Sequence, residues 1–386
     1  MNKKILLSTA ASLLFISIIA CSASGFLPTN PLVSTQPPVG VPTTASAPQQ
    51  QPAAAPNLVN QQDALVSLYQ KVSPGIVTIQ TSNALGSGWV YSSDGYIVTN
   101  QHVVGTETQV EVDFITGNKV YGKVVGADAN SDLAVVKVDV PSDQLHPLAL
   151  ADSSQLQVGQ TSIAIGDPLA LNGTTLTVGV ISGLGRSEES NAAANQQGQF
   201  FSTGDFIETD TLLNHGNSGG PLLDLNGNVI GVNRSIQIDP STNLPSGLGY
   251  AISSNVVKRV VPELIQTGKF AYPYLGLSFF PDGLSLAEIS ALGLKNTYGA
   301  YITEVTPGGP GDKAGLRAGT VATNLPNING GGDLIIGVDG HQVLEFNDLM
   351  RYIIVNKGPG DTVTLTVMRG DQKMDVKLTL GTRPSQ

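Results

Sequence analysis

The chain of 386 residues is long enough for two or three domains, each able to bury its own core. With 41% hydrophobic and 13% charged residues, 44 Gly and 23 Pro, its composition excludes a chain disordered throughout and disfavours an all-helical fold. The net charge of -10 disfavours nucleic acid as a partner, because it provides no general attraction for phosphate backbones.

Cysteine and histidine, the residues of many metal sites, are scarce. The single cysteine, Cys21, excludes a Cys-based zinc site, an iron–sulfur cluster and an intrachain disulfide. The histidines at 102, 146, 215 and 341 are far apart in the sequence and form no His-Glu-x-x-His motif. We therefore expect no metal site and no cofactor.

Residues 1–20 have the pattern of a secretory signal peptide. Lys3 and Lys4 precede an apolar run from Ile5 to Ala20, which is marginal in length for a bilayer core. The run ends in Ile18-Ile19-Ala20-Cys21, which resembles the lipobox of bacterial lipoproteins and predicts lipidation of Cys21 and attachment to a membrane. An uncleaved signal anchor with an incidental cysteine is the alternative. Both place the domains outside the cytoplasm, in the cell envelope or periplasm.

Residues 21–60 consist mainly of Pro, Ala, Ser, Thr and Gln and carry no charged side chain. Such a segment cannot bury enough apolar surface to offset the entropy lost on ordering. We predict that it is a disordered tether.

A β-rich segment follows over residues 61–267. Apolar residues at helical spacing predict a short helix over Asp63–Val72, which ends at Ser73-Pro74-Gly75. The β-branched runs beyond it recur about every ten residues without long helices between them, which favours antiparallel barrels or a sandwich. The predicted strands span 76–80, 87–91, 96–99, 110–115, 120–127, 133–138, 162–165, 174–184, 207–209, 221–224, 229–236 and 250–252.

The run Gly216-Asn217-Ser218-Gly219-Gly220 places a serine among glycines, where the backbone can turn sharply and expose the hydroxyl. The amides of Gly216 and Ser218 are then placed to point at one spot and form an oxyanion hole. Ordinary hairpins use the same residues, so the motif requires a base elsewhere in the chain.

A histidine elsewhere in the chain can act as this base, and an aspartate can orient it. His102 ends an apolar strand, and Asp132 begins another. The chain order is His, Asp, Ser, with separations of 30 and 86 residues, so that one barrel can provide base and orienter and a second barrel the nucleophile. Each residue alone has an ordinary structural explanation, a core histidine or a turn aspartate, but together they predict a catalytic triad.

With these motifs the sequence resembles the HtrA (Deg) family of serine proteases, chymotrypsin-like enzymes followed by PDZ domains. The resemblance extends from about Val66 to Arg383. It implies that His102 is the general base, Asp132 its orienter and Ser218 the nucleophile. The motifs that carry it are Asp94-Gly95-Tyr96-Ile97-Val98-Thr99-Asn100, His102-Val103-Val104, Asp132-Leu133-Ala134-Val135-Val136-Lys137-Val138, Ala164-Ile165-Gly166 with Pro168, Val178-Gly179-Val180-Ile181-Ser182 and Gly216 to Leu222.

The resemblance also predicts the substrate site. The floor of the primary specificity pocket would lie at Leu212, with Leu213 beside it, so that the pocket accepts an apolar side chain. The segment Gly249–Ile252 would form another wall and the strand that pairs with substrate. The loops 187–204 and 237–247 occupy places where relatives have regulatory loops, although they can also be passive surface loops. His215, where relatives usually have Pro or Ala, is either a neutral surface substitution or a source of pH sensitivity in the oxyanion loop.

The segment 268–383 resembles a PDZ domain. Leu275, Gly276 and Leu277 match the loop and strand that hold a peptide's terminal carboxylate. We predict a helix over Val256–Gln266 before this domain and a groove helix over Phe346–Asn356 within it. Residues Thr320 to Gly332, absent from many relatives, are predicted to be an inserted surface loop.

The expected fold is therefore mainly β, a chymotrypsin-like double β-barrel protease domain followed by a PDZ domain. The expected function is ATP-independent proteolysis of unfolded or misfolded extracytoplasmic proteins, with apolar C-terminal peptides bound at the PDZ domain and a homotrimeric assembly. A non-catalytic PDZ adaptor or holdase on a protease scaffold is the main alternative. A surface-anchored structural protein is a third hypothesis, but it would leave the matched spacing of the motifs as coincidence.

Overall fold

The computed structural model describes residues 58–167, 174–189, 202–214, 216–239, 244–280 and 283–384. The predicted signal peptide, Cys21 and most of the predicted tether lie outside these residues, as do His215 and much of the loops predicted over 187–204 and 237–247. In the described segments no helix has the length and apolar character needed to span a membrane.

Six strands follow helix α1 (Leu58–Val72), which begins earlier than the predicted Asp63. In β4, Val110, Val112 and Phe114 are buried and alternate with more exposed residues, as expected for a strand with one face toward a core. The elements are β1 (Ile76–Gln80), β2 (Leu85–Val90), β3 (Tyr96–Asn100), helix α2 (Gln101–Val104), β4 (Gln109–Phe114), β5 (Lys119–Asp128) and β6 (Leu133–Lys137). The strands close into a barrel in the order β1-β2-β3-β6-β5-β4.

A second closed barrel has the strand order β10-β11-β12-β9-β8-β7. Its strands are β7 (Thr161–Gly166), β8 (Thr175–Glu189), β9 (Ser202–Thr209), β10 (Pro221–Leu223), β11 (Val229–Asp239) and β12 (Leu244–Ser253). With the first barrel it forms the predicted chymotrypsin-like double barrel, so this part of the fold prediction is confirmed.

Helix α3 (Ser254–Thr267) follows the second barrel and matches the predicted helix with slightly wider bounds. The Ser253 side chain caps its first turn by accepting from the Val256 amide, and Gly268 ends it with a φ of 77°. Its apolar face packs into the core shared by the two barrels, where Val257, Val260 and Leu264 are fully buried.

The C-terminal segment forms the predicted PDZ domain. Its main sheet has the order β14-β15-β18-β20-β21, with β19 paired to β18, so β14 is an edge strand. The helix predicted over Phe346–Asn356 is present. The elements are β13 (Pro273–Tyr274), β14 (Leu277–Phe279), α4 (Leu286–Leu292), β15 (Ala300–Val305), α5 (Pro310–Lys313), β16 (Val321–Ala322), β17 (Asn329–Gly330), β18 (Leu334–Val338), β19 (His341–Gln342), α6 (Phe346–Asn356), β20 (Thr362–Arg369), β21 (Gln372–Thr379) and β22 (Gly381–Thr382).

The segment Thr320–Gly332 is more than the surface loop predicted for it. Its two short strands, β16 and β17, pair as a hairpin. The Tyr301 hydroxyl donates to the Asn329 carbonyl at 2.7 Å and accepts from the Gly332 amide at 2.9 Å, while Ile328 packs against a small core. A buried tyrosine hydroxyl needs such partners, and it anchors the insert to the domain.

The PDZ domain contacts the second barrel through α6. Arg351 Nε lies 3.0 Å from Asp205 Oδ1, and Ile354 joins the core of the protease domain. Burial raises the pKa of Asp205, whereas its hydrogen bond from Ser253 and the charge of Arg351 act in the opposite direction. Helix α6 of the PDZ domain is thus in direct contact with the double-barrel domain.

Candidate active site

His102 and Asp132 lie together at one edge of the first barrel. His102 Nδ1 is 2.8 Å from Asp132 Oδ2, and the His102 amide donates to Asp132 Oδ1 at 2.9 Å. The imidazole is 42% exposed, whereas the Asp132 side chain is only 2% exposed. The buried carboxylate therefore fixes the orientation of an accessible imidazole.

Two further contacts hold Asp132 against the start of α2. The Gln101 amide and Asn100 Nδ2 both donate to the Asp132 carbonyl, at 3.0 and 2.9 Å. Asp132 has a φ of 57°, a left-handed conformation that aspartate tolerates better than most residues. These contacts join the end of β3 to the beginning of β6, next to His102 and Asp132.

Behind Asp132, a polar cluster ties its loop to the linker that leads into the PDZ domain. Asp128 Oδ2 accepts from the Ser131 hydroxyl at 2.6 Å and from the Tyr272 hydroxyl at 2.5 Å. Burial raises the pKa of Tyr272 well above its usual value, and the charge of Asp128 adds to the effect. The Arg383 guanidinium lies over the Tyr272 ring, 4.4 Å from its centroid.

Ser218 lies in the turn before β10 of the second barrel, next to the first barrel. Its carbonyl accepts from the Ser87 amide at 2.8 Å, a contact that joins the two barrels. Its hydroxyl donates to the Arg234 carbonyl at 3.1 Å rather than to His102. A nucleophile and base that are not yet hydrogen-bonded are common without substrate, since the contact tightens when substrate binds.

The backbone beside Ser218 leaves two donors unused. Gly216 has a φ of 98°, and its carbonyl accepts from the Ser87 hydroxyl at 2.6 Å. The Asn217 amide donates to the Asn214 carbonyl. Among the described residues, neither the Gly216 amide nor the Ser218 amide donates to a protein acceptor. These are the two amides predicted for an oxyanion hole.

The two predicted pocket leucines differ in environment. Leu213 is buried in the core of the second barrel, whereas Leu212 is 60% exposed. The structure therefore places Leu212 at the surface and not on the floor of a closed pocket. Thr177 Oγ1 donates to the Leu212 carbonyl at 2.9 Å, which fixes the backbone at this position.

The prediction that Gly249–Ile252 pairs with substrate is wrong. This part of β12 is hydrogen-bonded to β11 on one side and to β9 on the other, so it has no free edge. β11 pairs with β10 as far as Val232, and the Asn233 amide and carbonyl continue this bonding to Gly220 and Gly219. Beyond Asn233, no strand of the described residues pairs with this side of β11, and the Arg234 carbonyl accepts from the Ser218 hydroxyl.

Arg234 is the residue that sequence reasoning missed. It is 7% exposed, its Nε lies 3.3 Å from Asp132 Oδ2, and its guanidinium carbon lies 5.0 Å from the centroid of the Phe206 ring. The signal in the sequence is an arginine inside the apolar run Val229–Ile236, where a charged residue requires a partner when it is buried.

In the PDZ domain, the predicted carboxylate loop precedes the edge strand β14. The Leu275 carbonyl accepts from the Gly311 amide and the Gly276 carbonyl from the Thr306 amide, while the Gly276 amide has no protein acceptor in the described residues. Gly276 has a φ of 67°. Phe279 of β14 stacks on Phe346 of α6 with centroids 5.1 Å apart, so the edge strand and this helix are in contact.

Family comparisons agree with this architecture. A model described as "Trypsin-like peptidase domain" matches residues 86–232, and one described as "PDZ domain" matches residues 273–380. The chain is 37% identical to "Protease Do-like 1, chloroplastic" of Arabidopsis thaliana over 338 residues, which cover 84% of this chain and 73% of that protein.

Bacterial relatives are similar but longer. The chain is 37% identical over 301 residues to "Probable periplasmic serine endoprotease DegP-like" of Chlamydia trachomatis serovar D, covering 78% of this chain and 54% of the relative. It thus spans about half the length of that relative.

Solved structures share the fold. The structure described as "HtrA-type protease AlgW with tripeptide" superposes with a TM-score of 0.65 and 30% identity, covering 83% of this chain and 98% of the other. The serine endoprotease from Yersinia pestis gives a TM-score of 0.54 with 26% identity, covering 83% of this chain and 98% of the other.

Proposed function

The chain belongs to the HtrA (Deg) family of trypsin-like serine proteases, and from this premise we propose that it is an ATP-independent endopeptidase of extracytoplasmic protein quality control. The observation that carries the proposal is the 2.8 Å contact between His102 Nδ1 and the buried Asp132 carboxylate, in the same barrel to which the Ser218 carbonyl is bonded through the Ser87 amide. The test is digestion of casein by the full chain, with and without an apolar C-terminal peptide. Intact casein under both conditions would contradict the proposal.

The proposed reaction assigns a step to each residue. The Ser218 hydroxyl turns from the Arg234 carbonyl toward His102 and attacks the scissile carbonyl carbon, while His102 Nε2 takes its proton. The Gly216 and Ser218 amides donate to the oxyanion that forms. His102 then gives the proton to the leaving amine, and water hydrolyses the acyl-enzyme by the same sequence. Asp132 holds the imidazole throughout.

We expect cleavage after apolar residues such as Val, Ala, Ile or Leu. Neither Leu212 nor Leu213 forms a pocket floor, so the expectation rests on charge: in the described segment 209–214 the one acid, Asp210, accepts from the Val180 amide at 2.6 Å. An unpaired lysine in such a pocket would lose its hydration without a counter-charge. Two peptides that differ only in Val or Lys at the cleaved position should differ at least tenfold in kcat/KM. Mass spectrometry of casein fragments checks the same preference, and a majority of cuts after Lys or Arg would contradict it.

We propose that the PDZ domain binds apolar C-terminal peptides. Support comes from the Gly276 amide, which has no protein acceptor in the part of the chain that the structure describes, and from β14, an edge strand that can pair with an extended peptide. The protein substrates of the protease and a homotrimeric assembly are also proposals, and they rest on family membership. Tyr69 in α1 is a candidate contact of such a trimer, and in this chain its hydroxyl lies 2.8 Å from Thr174 Oγ1, so at least one contact of that tyrosine is internal. Sedimentation of the detergent-solubilised chain would show the assembly, and a monomeric mass would contradict the trimer.

Gly276→Ala should weaken binding of an apolar C-terminal peptide about tenfold, because a side chain at positive φ strains the loop by about 1–3 kcal/mol. The added Cβ would also lie 3.0 Å from Pro310 Cδ. Gly293→Ala is the matched control, since its φ is 66° and nothing lies within 4 Å of its Cβ. Fluorescence anisotropy with a labelled peptide measures both, and equal affinities for the two variants would reject the assignment of this loop.

We propose that lipidation of Cys21 attaches the protein to a membrane, on the basis of the lipobox-like sequence Ile18-Ile19-Ala20-Cys21. The intact mass of membrane-extracted protein should correspond to an N-terminus at Cys21 with added acyl chains, because two or more chains are needed for stable attachment. Cys21→Ala should lack this mass. An unmodified N-terminus elsewhere in the native protein would refute the anchor.

A further inference from the structure

Arg234 occupies a β-bulge beside the proposed nucleophile. Asn233 pairs with Ala251 and Ser235 with Tyr250, so Arg234 is an extra residue on β11 opposite β12. A bulge changes the direction of the backbone and of the side chain at one position. Here the Arg234 carbonyl reaches the Ser218 hydroxyl, while the side chain reaches Asp132. One residue therefore contacts two members of the proposed triad.

The side chain of Arg234 and the imidazole of His102 share one carboxylate oxygen. Asp132 Oδ2 lies 2.8 Å from His102 Nδ1 and 3.3 Å from Arg234 Nε. His102 Nδ1 and Arg234 Nε are therefore close together, because both lie next to the same carboxylate oxygen. Because the side chains of Asp132 and Arg234 are buried, their charges interact more strongly than they would in water.

The charge balance of this cluster depends on Arg234. A neutral His102 offers Asp132 only uncharged donors, and a buried carboxylate is costly without a cation nearby. Burial lowers the pKa of the Arg234 guanidinium, and the charge of Asp132 opposes this effect. An arginine remains charged in proteins even so. In the resting site Arg234 thus compensates Asp132, and a proton taken up by His102 adds a second cation next to the first.

We propose that Arg234 is a positioning residue of the triad, whose charge holds the Asp132 carboxylate and opposes protonation of the resting His102, so that proteolysis persists at lower pH than it would without it. The inference rests on the proposed proteolytic function and adds a residue to it. In this proposal the guanidinium of Arg234, which the bulge places beside Asp132, determines the lower end of the pH range in which the enzyme is active.

Other charged groups near this cluster are paired elsewhere. Asp132 is the charged group that acts on Arg234, and on β9 the uncharged ring of Phe206 faces it. His215 precedes Gly216 in sequence and is the other histidine to control for. On adjoining elements of the described residues, Glu208 is paired with Arg186, Asp205 with Arg351, Asp128 with Tyr272, Glu107 with Ser82 and Asp167 with Thr78.

The experiment compares pH profiles of kcat/KM on an apolar peptide for the native chain, Arg234→Gln and Arg234→Lys. Gln keeps a similar length without charge, whereas Lys keeps the charge. We expect the acid limb of the Gln variant to move to higher pH and that of the Lys variant to stay near the native one. The same shift should appear in a His215→Ala background, which excludes His215 as its source.

Several results would overturn the inference. Acid limbs that superimpose for Gln and native chains would do so, even if the maximal rates differ, because a purely structural role changes rates without moving the limb. Equal shifts in the Gln and Lys variants would show that charge is not responsible. Arg234→Thr, which suits a strand, serves as a second uncharged variant. If neither uncharged variant folds while Lys does, the charge serves stability and the inference fails.

A second readout separates this inference from the proposed function. In a Ser218→Ala background, the NMR resonances of the His102 ring can be followed against pH without any proteolysis. We expect His102 to take up its proton at higher pH when Arg234→Gln is added. An inactive native chain with this shift would reject the proteolytic function alone, whereas an active chain without it would reject the role of Arg234.

Discussion

Ser218→Ala is expected to lower kcat/KM for casein or an apolar peptide roughly 10⁴- to 10⁶-fold, because it removes the atom that attacks the scissile carbonyl. The fold should be unaffected. Within the described residues the Ser218 hydroxyl makes one hydrogen bond, to the Arg234 carbonyl. Its loop is held instead by the backbone contact with Ser87 and by the Gly219 amide, which donates to the Asn233 carbonyl.

The matched control for this variant is Ser82→Ala, which removes the hydroxyl of an exposed serine between β1 and β2. It should keep the native rate. Thermal unfolding of both variants should follow the native curve, which separates loss of chemistry from loss of structure. Casein hydrolysis by Ser218→Ala at the native rate would reject Ser218 as the nucleophile.

Asp132→Asn should lower kcat roughly 10⁴-fold. The amide nitrogen of Asn cannot accept the proton that His102 Nδ1 donates, so the imidazole no longer presents the tautomer that can take a proton from Ser218. The backbone contacts should persist, because Asn tolerates the φ of 57° and the position's carbonyl still accepts from Gln101 and Asn100. The loss should therefore appear in kcat with little change in KM.

Asp94→Asn makes the same chemical change at an exposed turn before β3 and serves as the control. It should leave both kinetic constants unchanged. A similar fall for the two variants would indicate a general effect of removing a negative charge. A native kcat for Asp132→Asn would show that this carboxylate does not orient the base.

The fold could be predicted from the sequence because the patterns that indicate its strands are local. Short β-branched runs bounded by Gly, Asn and Asp predict strands whatever their partners are, and the motif order then favours two barrels. The contact between His102 and Asp132 follows for a similar reason. Each residue sits at the end of an apolar strand, and paired strands bring such ends together.

The features that could not be predicted from the sequence depend on which residues pair across strands or meet across the fold. The bulge at Arg234 exists only because Asn233 and Ser235 pair with adjacent residues of β12, and no run of residue types in β11 specifies that. For the same reason the sequence does not reveal that β9 and β11 occupy both sides of Gly249–Ile252, the segment predicted to pair with substrate. The anchoring of the PDZ insert depends likewise on a distant residue, Tyr301.

The main competing hypothesis is a PDZ adaptor or holdase built on an inactive protease scaffold. It predicts binding of unfolded proteins without covalent chemistry at Ser218. The positions of His102, Asp132 and the two free amides favour catalysis, since a scaffold that only binds has no need of an imidazole held by a buried carboxylate.

Covalent labelling of the full chain with a fluorophosphonate, followed by mass spectrometry of the labelled peptide, tests the central claim most directly. This reagent reacts with a serine that an adjacent base activates. We predict one adduct, on Ser218, and its loss in His102→Ala. Absence of an adduct on Ser218 in the folded native chain, or undiminished labelling in His102→Ala, would contradict the assignment of the catalytic triad.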